Sequence, residues 1–315
     1  MALKRVGLIG ASGFAGCEII KILARHGGVE LVAPNTPDFE GLKGRPVREL
    51  DPEAPDGIAF TAYSLDELNG LGLDCVLLAT PDPVSEKFVP HLKTPAIVDL
   101  SRAYRASEAA VYSIPELHRD RVPGARLLAN PGCYPTACQL AARPLVDTGL
   151  VERIVFNCIS GYSGAGRAPL YTNNPKNYTD DILAYKITGH AHEREIRRQL
   201  GMPKTVSFTP HVGPFFRGIL ATAHLFLKGP IDPASVRAMY VERYAKEPFV
   251  KVLDRTPELK DVRKNNLCCL GGFEVDDIHR VVIVATIDNL IKGAAGQAIQ
   301  NMNLMLGFPE TQGLL

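Results

Sequence analysis

The apolar positions of the chain fall into two textures. In the first half, short apolar runs alternate with longer segments of helical period. Val6-Gly7-Leu8-Ile9, Val29 to Ala33, Asp74 to Pro81, Ala96 to Leu100 and Arg126 to Ala129 read as buried strands. Cys17 to His26, Pro83 to Leu92 and Thr136 to Val146 read as helices between and after them. This alternation predicts an α/β unit with a parallel, doubly wound sheet, whose ligands gather at the carboxyl ends of the strands. After about residue 145 the pattern becomes alternating and β-rich, over Val151 to Ser160, Thr205 to Thr209, Gly218 to Leu227 and Arg280 to Ile287. Helices are expected near His192 to Leu200 and Pro233 to Lys246, which makes the second half an α+β domain with one mostly antiparallel sheet. A small-residue helix over Asp288 to Leu306 is expected to pack back on the first domain. The expected division is therefore 1–145, completed by 288–315, and 146–287.

Between the first strand and the first helix lies Gly10-Ala11-Ser12-Gly13-Phe14-Ala15-Gly16. A glycine turn alone says little. Placed between a strand and a helix, with a second strand following within about 30 residues, it predicts a dinucleotide-binding unit whose glycines let the backbone approach a pyrophosphate. Gly10, Ser12, Gly13, Phe14, Ala15 and Gly16 are its candidate contacts. The second strand ends Ala33-Pro34-Asn35-Thr36 with no charge, and Asp38, Glu40 and Arg45 follow. An acid at that strand end would favour NAD and an arginine NADP, so these residues leave both open. Thr80, Ser101 and Cys133 each follow a strand end and are expected to converge on one cleft.

Composition narrows the partners. The 315 residues are 46% hydrophobic and 22% charged with a formal net charge of +1, which argues against nucleic acid or an anionic membrane as the main partner. No apolar run approaches the roughly 18 residues of a membrane span. The start runs straight into the first strand, which leaves no room for a signal peptide. Seven cysteines without a C-x-x-C pair fit a reduced, cytoplasmic protein with no metal site.

The sharpest chemical signal is Asn130-Pro131-Gly132-Cys133-Tyr134-Pro135-Thr136-Ala137. It puts Cys133 between a strand end and a helix start, where unpaired amides and the helix dipole favour a thiolate. A buried packing cysteine is the bland alternative. A thiolate can attack an activated acyl group, and the amides after Gly132 could hold the oxyanion. An acid–base is then needed, and His190 and His192 in Gly189-His190-Ala191-His192-Glu193-Arg194-Glu195-Ile196 are the candidates. A metal would need a third ligand, which the spacing does not offer.

These segments together resemble the N-acetyl-gamma-glutamyl-phosphate reductase family, relatives of aspartate-semialdehyde dehydrogenase. The resemblance spans essentially the whole chain. It is carried by the glycine turn, Asp99-Leu100-Ser101, Ile114-Pro115-Glu116-Leu117, the Cys133 motif, Ser160-Gly161-Tyr162-Ser163-Gly164-Ala165-Gly166-Arg167, Phe208-Thr209-Pro210-His211 and Ile287 to Ala298. It implies NADPH-dependent reduction of an acyl phosphate through a cysteine thioester, with NADP as cofactor and a homodimer or homotetramer as assembly. It implies Cys133, His190 and Glu195 as the catalytic set, with His190 the acid–base and Glu195 either its orienting partner or a contact to the substrate amine. Thr80, Ser163, Gly164 and Asn289 join the glycine turn in holding the cofactor. Ser101, Arg105, Asn130, Arg167, His192, His211 and Arg217 are the implied substrate contacts, Arg167 foremost. The segments after Pro34 and between Asp99 and Pro115 are shorter than the family's common form. That keeps a rival open, the carrier-protein-linked aminoadipyl- or glutamyl-phosphate reductases, as well as other semialdehyde dehydrogenases. A plain alcohol dehydrogenase or a non-enzymatic NADP-binding regulator would have no use for Cys133.

Overall fold

The computed structural model of the protein describes residues 2–36, 40–167 and 171–315; Asp38 lies outside them. Two compact units are present, Met1–Pro131 with Ala294–Leu315, and Gly132–Gly293.

The first unit runs β1 (Lys4–Ile9), α1 (Phe14–Ala24), β2 (Val29–Asn35), α2 (Leu65–Gly70), β3 (Cys75–Leu78), α3 (Asp82–Phe88), β4 (Ala96–Asp99), β5 (Val111–Tyr112), α4 (Pro115–His118) and β6 (Leu127–Ala129). Its six strands are ordered β2-β1-β3-β4-β6-β5, and every pairing is parallel. The central strands β3 and β4 are buried along their full length, which is why they read as unbroken apolar runs. One hydrophobic cluster gathers Ile9, Val76, Leu78, Ile97 and Leu127 with Leu68, Phe88 and Leu92 from the helices. Strand order reverses between β1 and β3, and the glycine turn sits at the carboxyl end of β1.

The second unit runs α5 (Cys133–Val146), β7 (Val151–Gly161), β8 (Leu183–Ala184), α6 (Ala191–Leu200), β9 (Val206–Gly213), β10 (Ile219–Leu227), α7 (Pro233–Tyr244), β11 (Val250–Val252), β12 (Cys268–Val275) and β13 (Arg280–Ile287). Its sheet is ordered β11-β12-β13-β10-β7-β9-β8. Antiparallel pairs dominate, with β11–β12 and β7–β9 parallel. Ala221, Ala223 and Leu225 of β10, with Val281, Ile283 and Ala285 of β13, form the buried face, and α5 packs on both strands. The alternate residues Thr222, His224, Phe226, Val282 and Val284 stay half-buried.

The division falls at 131/132, where the sequence suggested 145, and α5 makes the difference. Pro144 lies inside this helix and has no N–H for the carbonyl of Leu140 four residues back. Tyr244 of α7 donates its hydroxyl to that carbonyl at 2.7 Å, and Tyr240 donates to Ala141 O at 2.5 Å. The proline thus frees an acceptor through which α7 grips α5. A π-helical stretch, Ile291–Ala295, leads into α8 (Gly296–Leu306), which packs with α1 and β4 in the first unit as expected.

Candidate active site

The helix expected from Thr136 begins at Cys133 itself, with Gly132 in extended conformation as N-cap and no side chain capping it. Cys133 is half-exposed, while Cys17, Cys75, Cys138, Cys158, Cys268 and Cys269 are buried, and none of the seven is in a disulfide. Burial pushes the thiols of Cys75 and Cys138 up, and that of Cys269 up to about 11. The contrast sets one accessible thiol apart from six that are buried.

Helix α6 carries the second group of candidate residues. His190 is its N-cap, and the Nδ1 of His190 accepts a hydrogen bond from His192 N at 3.0 Å. That bond fixes the lone pair on Nδ1 and the ring proton on Nε2. Glu195, one turn on, accepts from Gly132 N at 2.9 Å. It ties α6 to the residue preceding Cys133 and uses up one amide of that loop. With Pro135 lacking an N–H and Thr136 N bonded to Gly132 O at 3.0 Å, the amides that could face an oxyanion narrow to those of Cys133 and Tyr134.

Tyr134 stands at the centre of an aromatic group that the sequence reading passed over. Its ring lies 6.3 Å from His190, 5.8 Å from His192 and 5.2 Å from Phe208, all edge-on. The ring of Tyr185 approaches His190 at 5.7 Å. Tyr185 donates its hydroxyl to that of Tyr134 at 3.5 Å, and Tyr134 donates to His211 O at 2.9 Å. Burial holds both phenols protonated, Tyr185 pushed up to about 12. His211 Nδ1 in turn lies 3.3 Å from Cys158 O. Tyr134 was visible in the Cys133 motif, whereas Tyr185 lies in a stretch with no readable period.

The remaining second-unit candidates form a polar frame. Asn289 Oδ1 accepts from Gly218 N at 2.6 Å, and its Nδ2 donates to Ser163 Oγ at 2.9 Å. Arg217, 8% exposed, donates to Asp288 Oδ2 at 3.2 Å, and Asp288 is fully buried. Gly164 and Arg167 are exposed beside this frame. Arg217 therefore neutralises a buried carboxylate, a task the sequence did not reveal.

In the first unit, the carbonyl of Asn35 accepts from Gly10 N at 2.9 Å and Ala11 N at 3.2 Å, which fixes the glycine turn against β2. Ser12, Gly13, Phe14 and Ala15 lie half-buried along it, Gly13 serving as the N-cap of α1. Arg45 is exposed and paired with Glu49. Thr80 and Ser101 converge through Asp99: Ser85 bridges Thr80 Oγ1 at 2.9 Å and Asp99 Oδ1 at 2.7 Å, and Ser101 Oγ donates to Asp99 Oδ2 at 2.7 Å. Burial raises the Asp99 carboxyl despite these bonds. Arg105 donates to the carbonyls of Asn130 at 2.9 Å and Leu100 at 2.8 Å. Asn130 is buried, its amide engaged with Ala294 O and Asn301.

Residues 5–125 match the model of the semialdehyde dehydrogenase NAD binding domain, and residues 133–289 that of the semialdehyde dehydrogenase dimerisation domain. An N-acetyl-gamma-glutamyl-phosphate reductase of Methanobrevibacter smithii is 40% identical over 338 residues, 99% of this chain and 98% of that one. Another, of Xanthomonas campestris pv. campestris, is 40% identical over 310 residues, covering 97% and 96%. The chain belongs to the N-acetyl-gamma-glutamyl-phosphate reductase family. It is thus an oxidoreductase of the semialdehyde dehydrogenase type, with a nicotinamide-dinucleotide-binding domain and a dimerisation domain.

The family fold extends to more distant proteins. Aspartate semialdehyde dehydrogenase II of Vibrio cholerae superposes with a TM-score of 0.80 at 18% identity, covering 97% of this chain and 99% of that one. The Candida albicans enzyme, solved with NADP, gives 0.76 at 16%, covering 96% and 98%. Among the described residues, no helix is long and apolar enough to cross a membrane. For the reductase family member in hand, the turn at Gly10 to Gly16 fits a dinucleotide by its own geometry. A methyl group built on Gly13 would make only ordinary van der Waals contact, and a helix N-terminus without a side-chain cap stands behind it.

Proposed function

We propose that the protein reduces N-acetyl-glutamyl 5-phosphate to N-acetyl-glutamate 5-semialdehyde and phosphate, with NADPH as reductant, in arginine biosynthesis. The observation that carries this is Cys133, the one half-exposed cysteine, at the uncapped start of α5 and directly after Gly132, whose amide donates to Glu195 of α6.

In this reading the Cys133 thiolate attacks the acyl carbon, the carbon–oxygen bond to phosphate breaks, and a thioester remains on Sγ. The amides of Cys133 and Tyr134 face the oxyanion. The cofactor supplies hydride to the thioester carbon. A side chain then protonates the resulting oxyanion and takes the proton back as the carbon–sulfur bond breaks, which frees the aldehyde and restores the thiolate. The capping role of His190 bears on which side chain that is. With Nδ1 accepting from His192 N, the His190 ring offers only an Nε2–H, which donates but cannot also accept. We therefore give the proton transfer to His192 and the cap and ring contact to His190, the reverse of the order suggested by the family match.

NADP is preferred because the family resemblance implies it and β2 ends in the uncharged Asn35 rather than in an acid. Self-association is assigned to the half-buried face of the second sheet around Thr222 and Val284. Seven cysteines without a disulfide fit a reducing cytoplasm.

The test is phosphate-dependent oxidation of N-acetylglutamate semialdehyde against its aminoadipate homologue, with NADP and NAD. Turnover should require Cys133 and prefer the acetylglutamate compound with NADP. Preference for the longer or a carrier-linked substrate would move the protein to the lysine-type reductases. Full activity in Cys133→Ser would end the thioester mechanism. Single-turnover phosphate release should survive His192→Asn in part while NADPH oxidation falls by roughly 10²–10⁴-fold.

A further inference from the structure

The segment from Asp288 to Gly293 is held more firmly than its exposure to any ligand would require. Asp288 Oδ1 accepts from Leu290 N at 2.9 Å and Ile291 N at 3.2 Å, while Oδ2 accepts from Lys264 N at 2.8 Å and from Arg217. Its carbonyl accepts from Gly293 N at 2.9 Å. The fully buried Asp288 thus anchors the start of the segment through its carboxylate and Gly293 through its backbone carbonyl. A buried acceptor satisfied on both oxygens makes a rigid support.

What the loop delivers is Gly293. A methyl group built on it would stand 2.7 Å from the Cβ of Cys133, 3.2 Å from its Cα and 3.3 Å from Ile287 Cδ1. The φ of Gly293 is not in the left-handed region, so conformation does not demand glycine here. Proximity to the nucleophile does. No side chain other than hydrogen fits between this backbone and Cys133.

We propose that Gly293, anchored by Asp288, is a positioning residue for the nucleophile. Its backbone closes one side of Cys133, restricts χ1 of the thiol, and keeps Sγ aimed at the acyl carbon. The inference rests on Cys133 being the nucleophile. Its contribution is geometric: side chains sit in discrete staggered wells, and blocking one leaves the productive well more populated. Misplacing a reacting atom by about 1 Å can cost on the order of 10²-fold in rate.

The test is Gly293→Ala, read by the second-order rate of Cys133 alkylation with iodoacetamide, located by mass spectrometry, and by kcat and KM. Alkylation uses no substrate, so it can refute the positioning while the proposed reaction stands, and the reverse holds for turnover. The thiol rate should fall at least about tenfold across its pH profile, and kcat should fall with KM nearly unchanged. Adding Ile287→Val removes the Cδ1 methyl on the far side of the new group, gives it somewhere to go, and should restore part of both rates. A folded Gly293→Ala with the wild-type alkylation rate and kcat would overturn the proposal. So would a variant that loses only thermal stability, or an unfolded one that Ile287→Val restores to full activity without any change in thiol rate.

Discussion

A methyl group at Gly13 would meet only Gly10 O at 3.5 Å and Ala79 O at 4.0 Å, but at Gly16 it would lie 2.2 Å from Gly10 O, and at Gly10 2.3 Å from Ala79 O. Gly10 also takes φ +89°, which L side chains rarely adopt. Gly10 and Gly16 are thus needed by the protein's own packing, and Gly13 by whatever approaches from outside. Gly13→Ala should fold with nearly unchanged thermal stability and bind NADPH more weakly, and Gly13→Val more weakly still. Gly16→Ala should lose about 1–3 kcal/mol in denaturant titration. Equal stability losses at the two positions would contradict this division. The sequence displayed all three glycines alike, because spacing reports a turn but not what each Cα touches. The placement of Cys133 was legible for the opposite reason: a strand–helix junction is a local feature of the sequence. The role of Arg217 was not, since its partner Asp288 lies 71 residues away along the chain.

At the scale of elements, α6 gains its importance from two bonds at its first turns. His190 caps it, and Glu195 reaches the Cys133 loop. His190→Asn should keep the cap while removing the ring, since Asn is among the best N-cap residues, whereas His190→Ala should cost about 1 kcal/mol more stability. Glu195→Ala should cost about 1.5–3 kcal/mol in urea unfolding, before allowance for partial exposure, and slow thiol alkylation. Glu195→Gln, which keeps an acceptor for Gly132 N, should lose less of both. Strand β4 carries a pH signature at its end. Burial raises the folded Asp99 carboxyl above its unfolded value, so the folded state holds the proton more tightly. Stability from this group is therefore fully present below the ordinary carboxylate range and is lost as pH rises through the raised value. Urea midpoints across weakly acidic pH should fall with rising pH more steeply in the wild type than in Asp99→Asn. Parallel slopes would refute it. The long strands β7, β10 and β13 were readable from alternation, whereas β5, β8 and β11 have two or three residues and exist only because a neighbouring strand offers an edge.

For the whole molecule, the order of strands and helices indicated a doubly wound sheet and a mostly antiparallel one, and both are present. What sequence order could not convey was ownership. Helix α5 follows the last strand of the first sheet as a crossover helix should, yet it packs on the second sheet and its freed Leu140 carbonyl accepts from Tyr244 of α7. The same sheet has one face covered by helices and one left half-buried. Thr222 lies in its middle, opposite Asn157 on β7 and Val284 on β13. Thr222→Arg would set a charge at the centre of a self-complementary contact and should give monomers in sedimentation velocity while each chain stays folded. An unaltered oligomer would place the contact elsewhere.

The burial of six cysteines around one half-exposed thiol gives the chain a built-in count of its own folding. A chromogenic disulfide reagent should release close to one equivalent from native protein, then rise toward seven as each molecule opens. The slow component of that release would measure how often the interior of the two sheets becomes accessible, without any label being added.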